Sequence, residues 1–364
     1  MNSGIGAYVI RPIEPSDLDG FYGLAEISGP GFTSLQTDRD YLEKYIFESV
    51  SSFAEPKSDQ PQKFLLVMEE VKTGAIVGCA AVKTKIGQTR LFIDLAMKNA
   101  RGQIVHDPND AVYLDPYCAF DGATEVGSLF MHPDHRMGGL GRFLAKSRYL
   151  LISIAPDIFS SPIIAELRGC QNDEGVSDFY DSIHKQRLGK TFLEADAFIT
   201  HADNTGIEST IPSGPILIDN LPKQARGAIS KPHRSGVGAY HLLLREGFTH
   251  TGMVDLFDVG PIMSASVENI KTIQETITRK LCVKGTPQNV DLAIVSTTSL
   301  SGFRAIIDKV ELSETGVNVS VETMQALGRP EGAMVQFWAG SDKQNKVQST
   351  LQRSDGQSLK AVTQ

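Results

Sequence analysis

Residues 124–155 limit the fold more than any other stretch of the chain. The run "TEVGSLFMHPD" has the apolar content of a strand, and "LGRFLAKSRYLLISIA" has the spacing of a helix. Between them stands "HRMGGLG", with glycines at 138, 139 and 141. A strand that passes straight into a helix points to an α/β arrangement, because the helix must fold back onto the sheet to bury its apolar face. The turn itself has two readings: a tight connection and nothing more, or a cradle for an anion. A helix N-terminus leaves backbone N–H groups free and carries the positive end of the helix dipole. Glycines let that backbone approach a phosphate with no Cβ in the way.

The pattern Arg136-x-x-Gly139-x-Gly141 differs from two familiar phosphate loops. Gly-x-Gly-x-x-Gly is absent from the turn, and no Gly-Lys-Ser/Thr follows it. Charge narrows the partners further. With 35 Lys+Arg against 43 Asp+Glu the formal net charge is −8, which argues against nucleic acid or an anionic membrane and suits a cationic substrate. No run approaches the roughly 18 apolar residues of a membrane span, and the N-terminus lacks a signal-peptide pattern. Cys79, Cys118, Cys170 and Cys282 are far apart and mostly in apolar runs, so buried, reduced thiols and a cytoplasmic location are expected. At 364 residues the chain suits one large domain or two joined ones.

Along the chain, "AYVIRP" reads as a strand, Ser16 as the N-cap of a first helix, and residues 38–53 as a second helix. "FLLVMEE" and "AIVGCAAVKTKIG", joined by "VKTG", predict a hairpin. Residues 87–124 mix strand-like pieces with turns in no legible order. "SPIIAELRG" predicts a buried strand after the glycine-led helix. Residues 171–230 show no sustained period. "GAYHLLLREGF" gives a helix with a glycine stop, and a strand follows it. Beyond residue 262 the pattern predicts a helix over 268–281, a strand "DLAIVSTT" and strand-like runs near 303 and 333. The last 24 residues, 341–364, read as a polar, loosely attached tail.

"LFMHPDHRMGGLGRFL" resembles the coenzyme A pyrophosphate loop of the GCN5-related N-acetyltransferase superfamily. The pieces "RPIEPSDLDGFYGLA", "GFTSL", "TGAIVG", "SLFMHPDHRMGGLGRFLAKSRY", "IIAELRG", "EGF" and "DLFDVGP" occur in the order found in the arginine N-succinyltransferase family. The resemblance implies a mixed, mostly antiparallel sheet flanked by helices over residues 1–262. An α+β extension over 263–340 is expected to follow. It implies succinyl transfer from succinyl-CoA, as co-substrate, to the α-amine of L-arginine, with homo- or hetero-oligomeric assembly. A different acceptor such as ornithine, or a non-catalytic CoA-binding partner subunit, are the rival readings.

By the same resemblance, the backbone of Met137, Gly138, Gly139, Leu140, Gly141 and Arg142 would hold the coenzyme pyrophosphate. Leu129, followed on its strand by Met131, matches the family's succinyl-CoA contact through its backbone; its side chain reads equally as core. Arg136 and Arg142 are either phosphate contacts or surface arginines. Counting back from Glu246-Gly247-Phe248 puts His233 at the family's proton-donor position. The chain writes "KPH" where the family writes His-Pro, so a slip would put Lys231 there instead. Glu166 and Arg168 alternate on one strand and so share a face. Glu166 reads as a base, as an anchor for a cationic substrate, or, like Arg168, as half of a structural pair. Asp173, Glu174 and Tyr180 are further substrate-contact candidates, with surface polarity as the alternative. His132 and His135 lack a third ligand, so no metal is expected.

Overall fold

The hairpin strands Lys63–Glu70 and Ala75–Lys83 are buried on both faces, and their alternation shows why. Phe64, Leu66 and Met68 enter one apolar cluster, while Leu65 and Val67 enter another on the opposite side. Period-two alternation with apolar residues at both phases demands cover on both sides of the sheet. The computed structural model, which describes residues 7–29, 32, 35–172, 174–283, 291–313 and 316–340, supplies that cover.

In chain order the first half comprises β1 (Tyr8–Pro12), α1 (Leu18–Ser28), α2 (Arg39–Ala54), β2 (Lys63–Glu70), β3 (Ala75–Lys83), β4 (Asp94–Lys98), β5 (Tyr113–Tyr117), β6 (Thr124–Met131), α3 (Leu140–Ile154) and β7 (Ile163–Glu166). Short pieces follow: α4 (Asp178–Ile183), α5 (Lys185–Leu188), α6 (Phe192–His201), α7 (Asn204–Glu208), β8 (Ile216–Leu217) and α8 (Lys223–Ala228). Then come α9 (Val237–Glu246), β9 (Thr249–Val254), β10 (Pro261–Ala265), α10 (Lys271–Glu275), β11 (Ile277–Val283), β12 (Asp291–Thr297), β13 (Ala305–Leu312), β14 (Val317–Val319), α11 (Val321–Leu327) and β15 (Met334–Trp338).

The strands form one ladder, β12-β15-β11-β14-β13-β1-β2-β3-β6-β7-β10-β9-β4-β5-β8. Only β6–β7 and β11–β14 run parallel among the described pairs. The expected mixed, mostly antiparallel sheet flanked by helices is therefore the architecture. α1 and α2 pack on one face through Phe21, Leu42 and Tyr45, and α3 covers the other through Phe143, Leu144 and Leu151.

Several local expectations change. Ser16 does not cap α1. Pro15 starts a short turn, and Asp17 organises it by accepting the Glu14 N–H (2.8 Å) and a two-pronged ion pair from Arg11 (2.7 and 2.9 Å). The helix expected over 268–281 stops at Glu275. The β-branched Thr276, Ile277 and Thr278 favour extended backbone, and β11 pairs with β15 and β14. The boundary expected at 262/263 falls inside β10, and β12 pairs with β13, so the five C-terminal strands close into a small barrel that joins the sheet through β1. Of the cysteines only Cys79 is buried, and Cys118 is exposed. The polar tail lies outside the described residues. No helix among them is long and apolar enough to cross a membrane.

Residues 171–230 gather around a core of Phe179, Tyr180, Phe192 and Phe257. His184 is wholly buried against it. Its Nε2 donates to the Leu256 carbonyl (2.9 Å), and its Nδ1 accepts from Arg187 (3.2 Å). Burial, then the Arg187 charge, lowers its pKa to about 4. The unfolded chain, with an ordinary value of about 6.5, binds that proton more readily, so this contribution is complete above the unfolded value and is lost as pH falls toward the folded one. Asp196, pushed up to about 7 by burial and then Asp255, acts in the opposite sense, so the test is a comparison. Between about pH 7 and 5 the native protein is expected to lose about 2 kcal/mol more stability than His184→Gln. Denaturant titrations read this, and equal losses would refute it.

Candidate active site: a cleft between parted strands

β6 and β7 pair at Thr124↔Ile163 and Glu125↔Ile164 and nowhere further. β7 continues beside β10, and β6 continues beside β3. Past Glu125 the two parallel strands therefore no longer share a ladder, and the β6 edge from Val126 to Met131 faces open space. A register shift against β3 falls in this stretch, where Ser128 adopts a left-handed conformation (φ 49°). That conformation is costly for a residue with a Cβ and marks a bulge. The Cys79 thiol donates to the Ser128 carbonyl (3.3 Å) and helps hold it. The opening belongs to a cleft of about 1720 Å³. Half-buried Leu129 and buried Met131 line it.

The glycine turn closes one end. Gly138 and Gly139 take left-handed φ values of 63° and 84°, and Gly139 immediately precedes α3. Leu140 N–H bonds to the Met137 carbonyl (3.2 Å) and Phe143 N–H to that of Gly139 (3.0 Å). Among the described residues the N–H groups of Gly138, Gly139, Gly141 and Arg142 have no protein acceptor. With the dipole of α3 behind them, they make a cluster of free donors suited to an anion. Arg136 folds back, its Nε donating to the Met131 carbonyl (3.0 Å) and its guanidinium lying over Phe130. Arg136, Met137 and Leu140 line the cleft, whereas Arg142 is exposed outside its lining.

Carboxyl groups gather at the other end. Glu125, Glu166, Asp196, Asp255 and Asp258 all line the cleft, with Asp94 buried behind them. Burial, then Asp255, Asp94 and Glu125, raises the pKa of Glu166 well above the usual carboxylate range. Burial followed by Asp255 does the same to Asp94 and Asp258. Asp258 is fixed by the N–H groups of Gly169 (2.8 Å) and Gly260 (2.9 Å). A Cβ at Gly260 would lie 1.9 Å from the Leu167 carbonyl oxygen, so only glycine permits this crossing of chains. Clustered carboxyls with raised proton affinity can, once ionised, bind a cation or take up a proton.

Glu166 and Arg168 both reach the cleft but do not pair with each other. Arg168 donates to Gln171 (2.8 Å) instead. His233 is buried in the cleft wall, and Lys231, the alternative, is exposed outside the lining. Its Nδ1 meets the Ser235 hydroxyl (2.7 Å) and the Ser235 N–H (3.3 Å). Burial, then Arg168, lowers its pKa. Tyr180 is not in the cleft: it is buried in the neighbouring core and its hydroxyl donates to the Lys190 carbonyl (3.1 Å). Asp173 lies outside the described residues. His135 bonds to the Tyr8 hydroxyl (3.0 Å) and His132 accepts the Asp134 N–H (3.2 Å).

The parted parallel strands, the bulge and the glycine-opened helix suit an acyl-CoA-dependent N-acyltransferase, the class to which the chain's relatives assign it. A family profile described as arginine N-succinyltransferase beta subunit matches residues 8–272, and the chain belongs to that family. An arginine N-succinyltransferase of Photorhabdus laumondii is 28% identical over 343 residues, covering 93% of this chain and 99% of that one. Another, from Enterobacter sp. (strain 638), is 30% identical over 277 residues, 74% and 78% of the respective chains. The solved structure of arginine/ornithine succinyltransferase subunit AI from Pseudomonas aeruginosa shares the fold. It superposes with a TM-score of 0.80 at 24% identity over 92% of this chain and 99% of that one.

Gly139 and Gly141 now separate as probes. A side chain at Gly139 meets backbone strain, whereas Gly141 has an ordinary φ and nothing within 4 Å of its would-be Cβ. Gly141→Val is expected to fold and melt like the native protein while weakening CoA binding at least about tenfold, through the blocked approach to phosphate. Gly139→Val should also lose about 1–3 kcal/mol of stability. Calorimetric titration of CoA decides: undiminished affinity in folded Gly141→Val rules out the cradle.

Proposed function

We propose that the protein transfers the succinyl group of succinyl-CoA to the α-amine of L-arginine by direct attack on the thioester. The observation that carries this reading is one cleft with opposite ends, a ring of free N–H groups at the glycine turn and a bank of carboxyls at the other. The first suits the pyrophosphate of a coenzyme, and the second suits a cationic amino acid. The unpaired β6 edge around Leu129 offers N–H and C=O groups on which the pantetheine amides can lie like an added strand.

In the reaction a C–N bond forms and the C–S bond breaks. The acceptor enters as an ammonium and must lose a proton, and the thiolate must gain one. Glu166 would receive the first in its ionised form, and the burial and neighbouring carboxyls that raise its proton affinity favour that uptake. His233 is placed for the second. Its lowered pKa leaves the ring neutral near pH 7, and the Ser235 N–H at Nδ1 assigns the ring proton to Nε2. Nε2, with no partner among the described residues, offers its proton to the leaving sulfur, and the proton that the ammonium of the adduct releases returns to the ring, so His233 ends neutral as it began. No enzyme nucleophile is required.

Ornithine is the second reading for the acceptor. Carboxyls alone do not distinguish a guanidinium from an ammonium, and the Pseudomonas protein is named for both amino acids. A thiol-release assay crossing succinyl-CoA and acetyl-CoA with arginine, ornithine, lysine and a polyamine tests both readings. Highest kcat/KM for succinyl-CoA with arginine is expected, and an intact CoA site without turnover would favour a partner subunit. His233→Ala should lower kcat by about 10² to 10⁴-fold with little change in CoA affinity. Lys231→Ala should leave turnover unchanged; the reverse result would reassign the proton donor.

A further inference from the structure

Arg168 is anchored by backbone on both sides. Leu167 N–H donates to the Pro261 carbonyl (3.1 Å), Gly169 N–H donates to Asp258 (2.8 Å), and the Arg168 carbonyl accepts the His233 N–H (2.7 Å). The side chain lines the cleft, yet its engagements are few. Nη2 donates to the neutral Gln171 amide (2.8 Å), and Nε is buried without an acceptor. No carboxylate among the described residues forms an ion pair with it. The neighbouring acids have other partners: Asp258 takes Gly169, Gly260 and the Gln171 amide, and Asp196 takes Gln36.

Three other cations of the cleft are already engaged. Lys83 makes two bonds to Glu125 (both 3.1 Å), Arg136 lies on the Met131 carbonyl, and Arg90 on that of Ile199. A guanidinium is a planar fork shaped for a carboxylate, and half-burying it beside neutral partners is unfavourable unless a ligand completes it. Resting on the function proposed above, we infer that Arg168 receives the free carboxylate of the succinyl donor and so sets the enzyme's donor preference. Two methylenes separate that carboxylate from the thioester carbonyl. A thioester beside His233 thus brings the carboxylate toward the residue whose carbonyl His233 itself grips.

The test compares kcat/KM for succinyl-CoA and butyryl-CoA, which is similar in shape but lacks the carboxylate, at saturating arginine. The native enzyme is expected to prefer succinyl-CoA. In Arg168→Met the succinyl/butyryl ratio should fall at least about a hundredfold, because a site built for a charged group discriminates strongly. Arg168→Lys, which keeps the charge and loses the fork, should lower the ratio about tenfold. An unchanged ratio in folded Arg168→Met overturns the assignment. So does a rise in the KM for arginine with both donors, which would put the guanidinium on the acceptor's carboxylate. If the methionine variant does not fold, the lysine variant decides, and a ratio within about twofold of native overturns it. A native enzyme indifferent to the two donors would remove the functional reading itself, and the assignment with it.

Discussion

The parallel contact between β6 and β7 holds for two residues and then ends, and the remaining structure is organised around that ending. A sheet edge buried with its N–H and C=O groups unpaired is unfavourable. β6 keeps a ladder with β3, interrupted only by the bulge, and β7 keeps one with β10, so each strand loses its neighbour on one side only. The bulge at Ser128 turns the free edge at the point where α3 begins to approach. Helices on both faces hold the parted strands apart, because each face of β2 and β3 has its own apolar cluster to bury.

The far side of α3 explains why its N-terminus stays in place. Lys146, in the middle of the helix, is nearly buried and reaches Glu246 of α9 and Thr272 of α10 (2.6 Å to the latter), with its ammonium 4.0 Å from the centre of the Trp338 ring. Trp338 donates to Glu275 (2.9 Å), and Gln336 donates to Ser153 (2.6 Å). The C-terminal barrel is thus tied to the back of the helix whose front forms the anion site. Buried charges of this kind are tolerated only with complete partners, and here three elements supply them.

Much of this was legible in the sequence because it depends on local signals. The strand-turn-helix at 124–154, the hairpin, the second helix and the Gly247 stop all appear where periodicity and glycine placed them. Ser16 misled because Pro15 and the Arg11–Asp17 pair, not the hydroxyl, set that turn. The helix expected over 268–281 failed where three β-branched residues outweighed an amphipathic pattern. Tyr180 suits a substrate contact or a polar surface by sequence, whereas its burial depends on packing against Phe192 and Phe257, which no local window contains. The carboxyls show the limit best. The rule that drew attention to Glu166, a charge inside an apolar strand, applies equally to Asp94 in "FIDLAM" and Glu125 in "TEVGSLF". Asp255 and Asp258 carry no such sign, since a turn rich in aspartate looks the same at a surface as at a cleft.

Net charge gives a misleading picture of this molecule unless it is resolved by place. At −8 overall, a chain that binds a polyphosphate works against its own mean charge. Screening confines that mean to a Debye length of about 8–10 Å, so local groups decide. At the glycine turn they are backbone N–H groups at a helix end equivalent to roughly half a positive charge, and the nearby Arg136 is spent on the loop's own carbonyl. Backbone donors cannot swing toward the carboxyl bank at the other end, as lysines would. At the other end burial and mutual proximity raise the proton affinity of Asp94, Glu166, Asp196 and Asp258, so the bank carries less than its full charge and repels the coenzyme less. Opposite polarities can therefore share one cleft, provided that the phosphate donors are main chain and that only part of the carboxyl bank is ionised at a time.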